Sequence, residues 1–219
     1  MINFNTDKLI FVGFPWGAGG KFLINCLGLS DNAVLQDYEY AKQQLDGKFD
    51  KNDKINYIRK KLKEVKTDWV DLDLGCYQLT NVSNTDYLSI PSDEIKQNTN
   101  FHPVITELSQ RNQEYFFMIA HTNEYFDAYF KIWANAKLII LKNCFIMQEF
   151  RKTNIIQDID HPNCLFYWDC NWFFDETLTQ TNIKKLYNLL DLNDYDETFI
   201  SEYHKTWLTI LNKLSTVDK

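Results

Sequence analysis

Apolar residues gather in four short runs: Lys8 to Val12, Tyr115 to Ala120, Lys137 to Leu141, and Cys164 to Trp168. Runs of this length, rich in β-branched and aromatic residues and closed by turn-forming or polar residues, predict buried strands. Elsewhere the apolar spacing is helical. Phe22, Leu23, Cys26 and Leu27 mark a helix from Lys21 to Leu27 with Gly28 at its stop, and Ile55, Ile58 and Leu62 mark another inside a charged stretch from Asp31 to Asp73. Further helices are predicted over Glu124 to Trp133, Asn143 to Lys152, Asn182 to Leu190 and about Asp196 to Leu214. In the last of these, Phe199, Tyr203, Trp207, Ile210, Leu211 and Leu214 form one stripe. Gly75 to Asn100, rich in Asn, Ser, Thr and Asp, reads as loop with one short strand around Tyr77. Strands alternating with helices predict a parallel sheet covered on both faces, an α/β fold of three layers with a central, mostly parallel sheet flanked by helices.

With 219 residues, 45% of them apolar, the chain can bury a core of the size one α/β domain needs, and a single domain over 1–219 is expected. A net charge of −7 argues against wrapping a nucleic acid, because neutralising a row of phosphates takes massed Lys and Arg. A local basic patch is still enough for a small anion. No stretch has the length of a membrane span, and Met1 to Lys8 lacks the basic and apolar regions of a signal peptide. The five cysteines include no CxxC pair that would grip zinc. They read as reduced, buried thiols, and the expected compartment is the cytoplasm.

The candidate chemistry lies between the first strand and the first helix, in Pro15-Trp16-Gly17-Ala18-Gly19-Gly20-Lys21. Three glycines let backbone N–H groups converge on an anion, the helix adds its positive dipole end, and Lys21 adds a full charge. Set against the nucleotide-binding pattern G-x-x-x-x-G-K-[ST], the loop has Pro15 for the first glycine, keeps Gly20-Lys21, and places Phe22 where a Ser or Thr would hold magnesium. Loss of that hydroxyl weakens a kinase or NTPase reading more than it weakens phosphate binding. Asp169, at the end of an apolar run, is the acid such a metal-dependent enzyme would pair with Lys21. A purely structural glycine turn is the plainer alternative.

The segment Phe14-Pro15-Trp16-Gly17-Ala18-Gly19-Gly20-Lys21-Phe22 resembles the loop Y-P-K-S-G-T-T-W-L of the sulfotransferases that use 3′-phosphoadenosine-5′-phosphosulfate. The two share their length and aromatic-proline start, with Trp16 at the family's lysine position. Met118-Ile119-Ala120-His121-Thr122 is similar to the family's strand ending in K-T-H-L-P, and Ala136 to Asn143 is similar to its strand ending in R-N-P, in the same order along the chain. The resemblance implies a sulfonate transfer that needs no metal, from that nucleotide as co-substrate to a small-molecule or glycan acceptor. It implies that the loop from Pro15 to Phe22 binds the donor, that His121 is the general base, and that Lys142 meets the 3′-phosphate. Phe150 replaces a family serine, for which Arg151 or Lys152 would compensate. Because Trp16, Ile119 and Phe150 each remove a family side chain, a protein that binds the nucleotide without transferring sulfonate is the alternative. The aromatic cluster Tyr167 to Phe174 is either core or the wall of an acceptor pocket.

Overall fold

The computed structural model describes residues 6–15, 18–35, 51–64, 114–120, 130, 133–147 and 160–216. Its centre is a four-stranded sheet of β1 (Leu9–Gly13), β2 (Phe116–Ala120), β3 (Lys137–Lys142) and β4 (Cys164–Asp169), in the order β2-β1-β3-β4. Every neighbouring pair is parallel, with Gly13 opposite Ala120 on one side and Ile140 on the other, and Lys142 opposite Asp169. The four strands predicted from the apolar runs are present, each within about a residue of the expected bounds.

Around the sheet lie α1 (Gly20–Gly28), α2 (Lys51–Glu64), α3 (Glu176–Leu190) and α4 (Glu197–Thr216). Side chains alternate between the faces of each strand. Ile10, Val12, Phe117, Ile119, Ile139, Leu141 and Trp168 share one core with α1, α3 and α4. Phe11 turns the other way and packs against Phe130 and Trp133. Leu9, Phe11, Met118, Leu138 and Ile140, all on that second face, have no exposed surface. Buried on both faces through β1, β2 and β3, the parallel sheet is the middle of three layers, as the run-like strand pattern predicted, while the edge strand β4 leaves Leu165 and Tyr167 exposed.

Aspartates decide where the later helices begin. Asp175 accepts the Leu178 amide at 2.9 Å and starts α3 at Glu176, about two turns before Asn182, where apolar spacing alone placed it. Asp196 accepts the Phe199 amide at 2.9 Å and starts α4. Where a helix was expected from Asn143 to Lys152, the described residues hold a short 3-10 turn, Cys144–Met147, entered through Asn143 at φ 56°. The region expected to form a loop around Tyr77 and most of the helix expected over Glu124 to Trp133 lie outside the described residues.

Polar ties fasten the N-terminal unit to the C-terminal helices. The Asn25 amide donates to the Tyr203 hydroxyl at 3.1 Å, and the Tyr187 hydroxyl donates to the Cys26 carbonyl at 2.8 Å. Lys54 is buried, and its ammonium donates to the Ser30 and Ala33 carbonyls just past the end of α1 at 2.6 and 2.7 Å. Those carbonyls satisfy a charge that burial would otherwise make costly. Cys26, Cys144 and Cys170 are buried and unbridged, Cys164 is half-buried, and burial pushes the Cys26 thiol up. Cys76 lies outside the described residues. No described helix is long and apolar enough to cross a membrane.

His204 on α4 is fully buried, its Nε2 is 2.7 Å from the Phe173 carbonyl, and its Nδ1 has no hydrogen-bond partner among the described residues. Burial holds its pKa below the ordinary histidine value, so the folded chain binds the proton less readily than the unfolded one. The stability this neutral ring supports is therefore complete above about pH 6.5 and declines as the pH falls from there through the depressed folded value. Melting curves between pH 7.5 and 5.5 are expected to show that decline, and His204→Gln is expected to flatten it whatever its own starting stability. An equal slope in both chains would show that His204 is not the group responsible.

Candidate phosphate site

β1 is a central strand whose two neighbours are reached in opposite directions. The chain leaves β1 towards β2, on one side, and leaves β3 towards β4, on the other. Neighbouring parallel strands whose connections diverge open a crevice beyond their carboxyl ends, where open α/β sheets place their ligands. The glycine loop follows Gly13 directly, so it borders the crevice between β1 and β3, and Lys142 ends the strand on its other side.

Two of the glycines are required by the fold itself. Gly19 is the N-cap of α1 and sits at φ 80°, in left-handed backbone, over Phe173 and Trp207, whose atoms lie 3.2 and 3.3 Å from where a Cβ would stand. A Cβ on Gly20 would fall 2.2 Å from the ring of Phe14, and that ring is itself buried. The loop is tightened from within, with the Ala18 amide donating to the Pro15 carbonyl at 3.2 Å and the Phe22 amide to the Gly19 carbonyl at 3.0 Å. Trp16 and Gly17 lie outside the described residues.

Among the described residues the first turn of α1 has no side-chain cap, and it carries no acidic residue, in contrast to the Asp-capped α3 and α4. An uncapped helix end with a lysine at its second residue presents partial and full positive charge together, which favours an anion there by about 0.3–1 kcal/mol from the dipole alone. Lys21 is half-exposed, whereas Ala18 is buried.

Phe22 plays a different part from the rest of the loop. Its ring is buried among Phe173, Tyr203, His204 and Trp207, at centroid distances of 5.8, 4.8, 5.6 and 4.9 Å. The position that holds a metal-binding hydroxyl in the nucleotide-binding pattern is therefore core, and with the Phe22 amide already bonded to Gly19, this residue has no polar group to offer a ligand. Asp169 likewise acts locally, its Oδ1 accepting both the backbone and side-chain N–H groups of Asn171 at 2.9 and 2.8 Å to cap the 3-10 turn Cys170–Phe174. It ends β4, two strand spacings or roughly 10 Å from β1. Among the described residues no cluster of three or more His, Cys, Asp or Glu side chains could hold a metal ion.

Lys142 is engaged on the face of the sheet away from α1. Its ammonium lies 3.3 Å from Asp160 and 5.3 Å from the ring centre of Tyr167, whose hydroxyl donates to the same Asp160 oxygen at 3.1 Å. These contacts hold the Asp160 carboxyl below its ordinary pKa. Nothing near residue 142 in the sequence signalled this partner. His121, the residue after β2, and Arg151 lie outside the described residues. The aromatic run from Tyr167 divides, for Trp168 and Phe173 are core while Tyr167 is exposed.

Gly20→Ala is expected to destabilise the chain by about 1–3 kcal/mol, the usual cost of forcing a methyl group into a filled site. The Phe14→Leu change should recover part of that loss in a double-mutant cycle by denaturant unfolding. Strict additivity of the two changes would show that the Phe14 ring is not what demands a glycine here.

Comparison with protein-family models, with curated proteins and with solved structures gives no match.

Proposed function

We propose that this protein binds a phosphate-bearing nucleotide, without a metal, where the glycine loop meets α1. We infer that the nucleotide is 3′-phosphoadenosine-5′-phosphosulfate and that its sulfonate passes to a hydroxyl or amine acceptor. The observation that carries the proposal is an uncapped α1 bearing Lys21, delivered by a central parallel strand to the β1/β3 crevice. The buried Phe22 favours metal-free chemistry over kinase or NTPase chemistry. In the proposed step, the acceptor oxygen or nitrogen attacks sulfur and His121 takes its proton. The bond from sulfur to the 5′-phosphate oxygen breaks, and the charge left on that phosphate is held by the N–H groups of the loop and by Lys21.

Adenosine 3′,5′-bisphosphate at about a hundred times its Kd is expected to raise the melting temperature by roughly 5–10 °C, equally with magnesium or with a chelator. A shift with ATP that requires magnesium would instead favour the metal-dependent enzyme, and no shift with either would remove nucleotide binding from the loop. Given binding, His121→Ala is expected to lower the rate of transfer about a hundredfold or more.

A second reading, binding without transfer, draws on the Lys142–Asp160 pair, because a 3′-phosphate must compete with Asp160 for that ammonium. If the phosphate does reach Lys142, Asp160→Asn should tighten bisphosphate binding by about 1.5- to 5-fold, the size of an exposed ion pair, and Lys142→Ala should abolish the gain. Unchanged affinity in Asp160→Asn would exclude Lys142 from the nucleotide site.

A further inference from the structure

Cys144 opens the turn that follows β3, and Cys170 opens the turn that follows β4. These strands are parallel neighbours with Lys142 opposite Asp169, so their ends deliver the two cysteines side by side. The sulfurs lie 3.6 Å apart, and both residues are fully buried. Neighbouring strands run about 4.8 Å apart, within the roughly 4.4–6.8 Å between α-carbons that a disulfide spans. Closing the bond needs the sulfurs to approach by about 1.6 Å, to near 2.05 Å.

Cys170 also touches the glycine loop, its thiol donating to the Ala18 carbonyl at 3.7 Å, while the Cys144 thiol donates to the Leu141 carbonyl at 3.4 Å. Ala18 is the residue before the α1 N-cap. A change at Cys170 therefore acts on the loop directly.

We propose that Cys144 and Cys170 form an oxidation site, closed to a disulfide by a peroxide, and that closure alters the glycine loop through Ala18. In the first step one sulfur, as thiolate, attacks a peroxide oxygen. The O–O bond breaks, a sulfenic acid forms, and with hydrogen peroxide one water leaves. In the second step the other sulfur attacks the sulfenic sulfur, the S–S bond forms, the S–O bond breaks, and a second water leaves. The two thiols give up two electrons and two protons, and the peroxide takes them up. Burial makes the first step slow, since it waits on local opening. The neighbouring sulfur at 3.6 Å then captures the sulfenic acid before a second peroxide reaches it. This site does not depend on what the loop binds.

The test treats the reduced, folded full-length protein with hydrogen peroxide, alkylates the remaining thiols, and maps peptides without reduction. The expected product joins the peptide carrying Cys144 to the one carrying Cys164 and Cys170, with fragmentation placing the bridge at Cys170 and dithiothreitol reversing it. Amide hydrogen exchange at Ala18 to Gly20 is expected to differ between the reduced and bridged forms. Alkylated Cys144 and Cys170 while half-buried Cys164 oxidises, sulfinic acid at either one, or a bridge to another cysteine would overturn the oxidation site. A Cys144–Cys170 bridge with unchanged exchange in the loop would overturn its coupling to Ala18. Both readouts use the natural sequence, so neither depends on a substituted core cysteine folding.

Discussion

The ring of Phe22 joins the two ends of the chain. It belongs to α1, which the glycine loop launches from β1, yet its neighbours Phe173, Tyr203, His204 and Trp207 all lie beyond β4. Contacts of this kind are individually small and act together through close packing. Here they fix where α1 begins, and hence where its first N–H groups point. Gly19 lies against the same aromatics, so the turn that would meet an anion rests on the packing of α4 and on the 3-10 turn after β4. The anion binding proposed for Gly19 to Lys21 and the core packing at residues 173–207 are two sides of one surface.

This double use explains why glycines alone do not prove a ligand. Gly19 is demanded by backbone of positive φ and Gly20 by the ring of Phe14, whether or not anything binds. What points outward is the combination that packing does not require: a helix end without a capping side chain, a lysine on its first turn, and a position at the divergence of β1 and β3. At the position where a metal-binding hydroxyl would stand in the nucleotide-binding pattern there is instead a buried phenyl ring.

Strands β1, β2 and β3 were legible because each is buried on both faces, which makes its apolar run continuous and its ends abrupt, and β4 was legible from its aromatic run even though Leu165 and Tyr167 are exposed. The loop was legible because glycine, proline and lysine are conspicuous between such a run and a helix. Phe22 was harder to place, since helical spacing marks it as apolar without saying whether it lines a site or a core. The stripe read along the last helix passed over His204, as a polar residue carries no hydrophobic signal even when a carbonyl, here that of Phe173, meets one of its nitrogens. The start of α3 was misplaced because apolar spacing outweighed the cap at Asp175, which was there to be read. Lys142 with Asp160, and Cys144 with Cys170, were beyond reach, for each pair is brought together by the adjacency of β3 and β4, which spacing along the chain does not encode.

The strand order also has a temporal side. β1 is made first, but both strands that hydrogen-bond to it come about a hundred residues later. At a synthesis rate of about 5–20 residues per second, Leu9 to Val12 wait roughly 5–20 s before any partner strand exists. Throughout that interval the most apolar strand, and the loop it carries, are parts of an unfinished sheet. Loop-closure entropy makes such non-local pairing slow even after the partners emerge. The element proposed to do the binding is thus among the last to acquire its shape, and a nascent chain of this protein is most exposed to misassociation at its first strand.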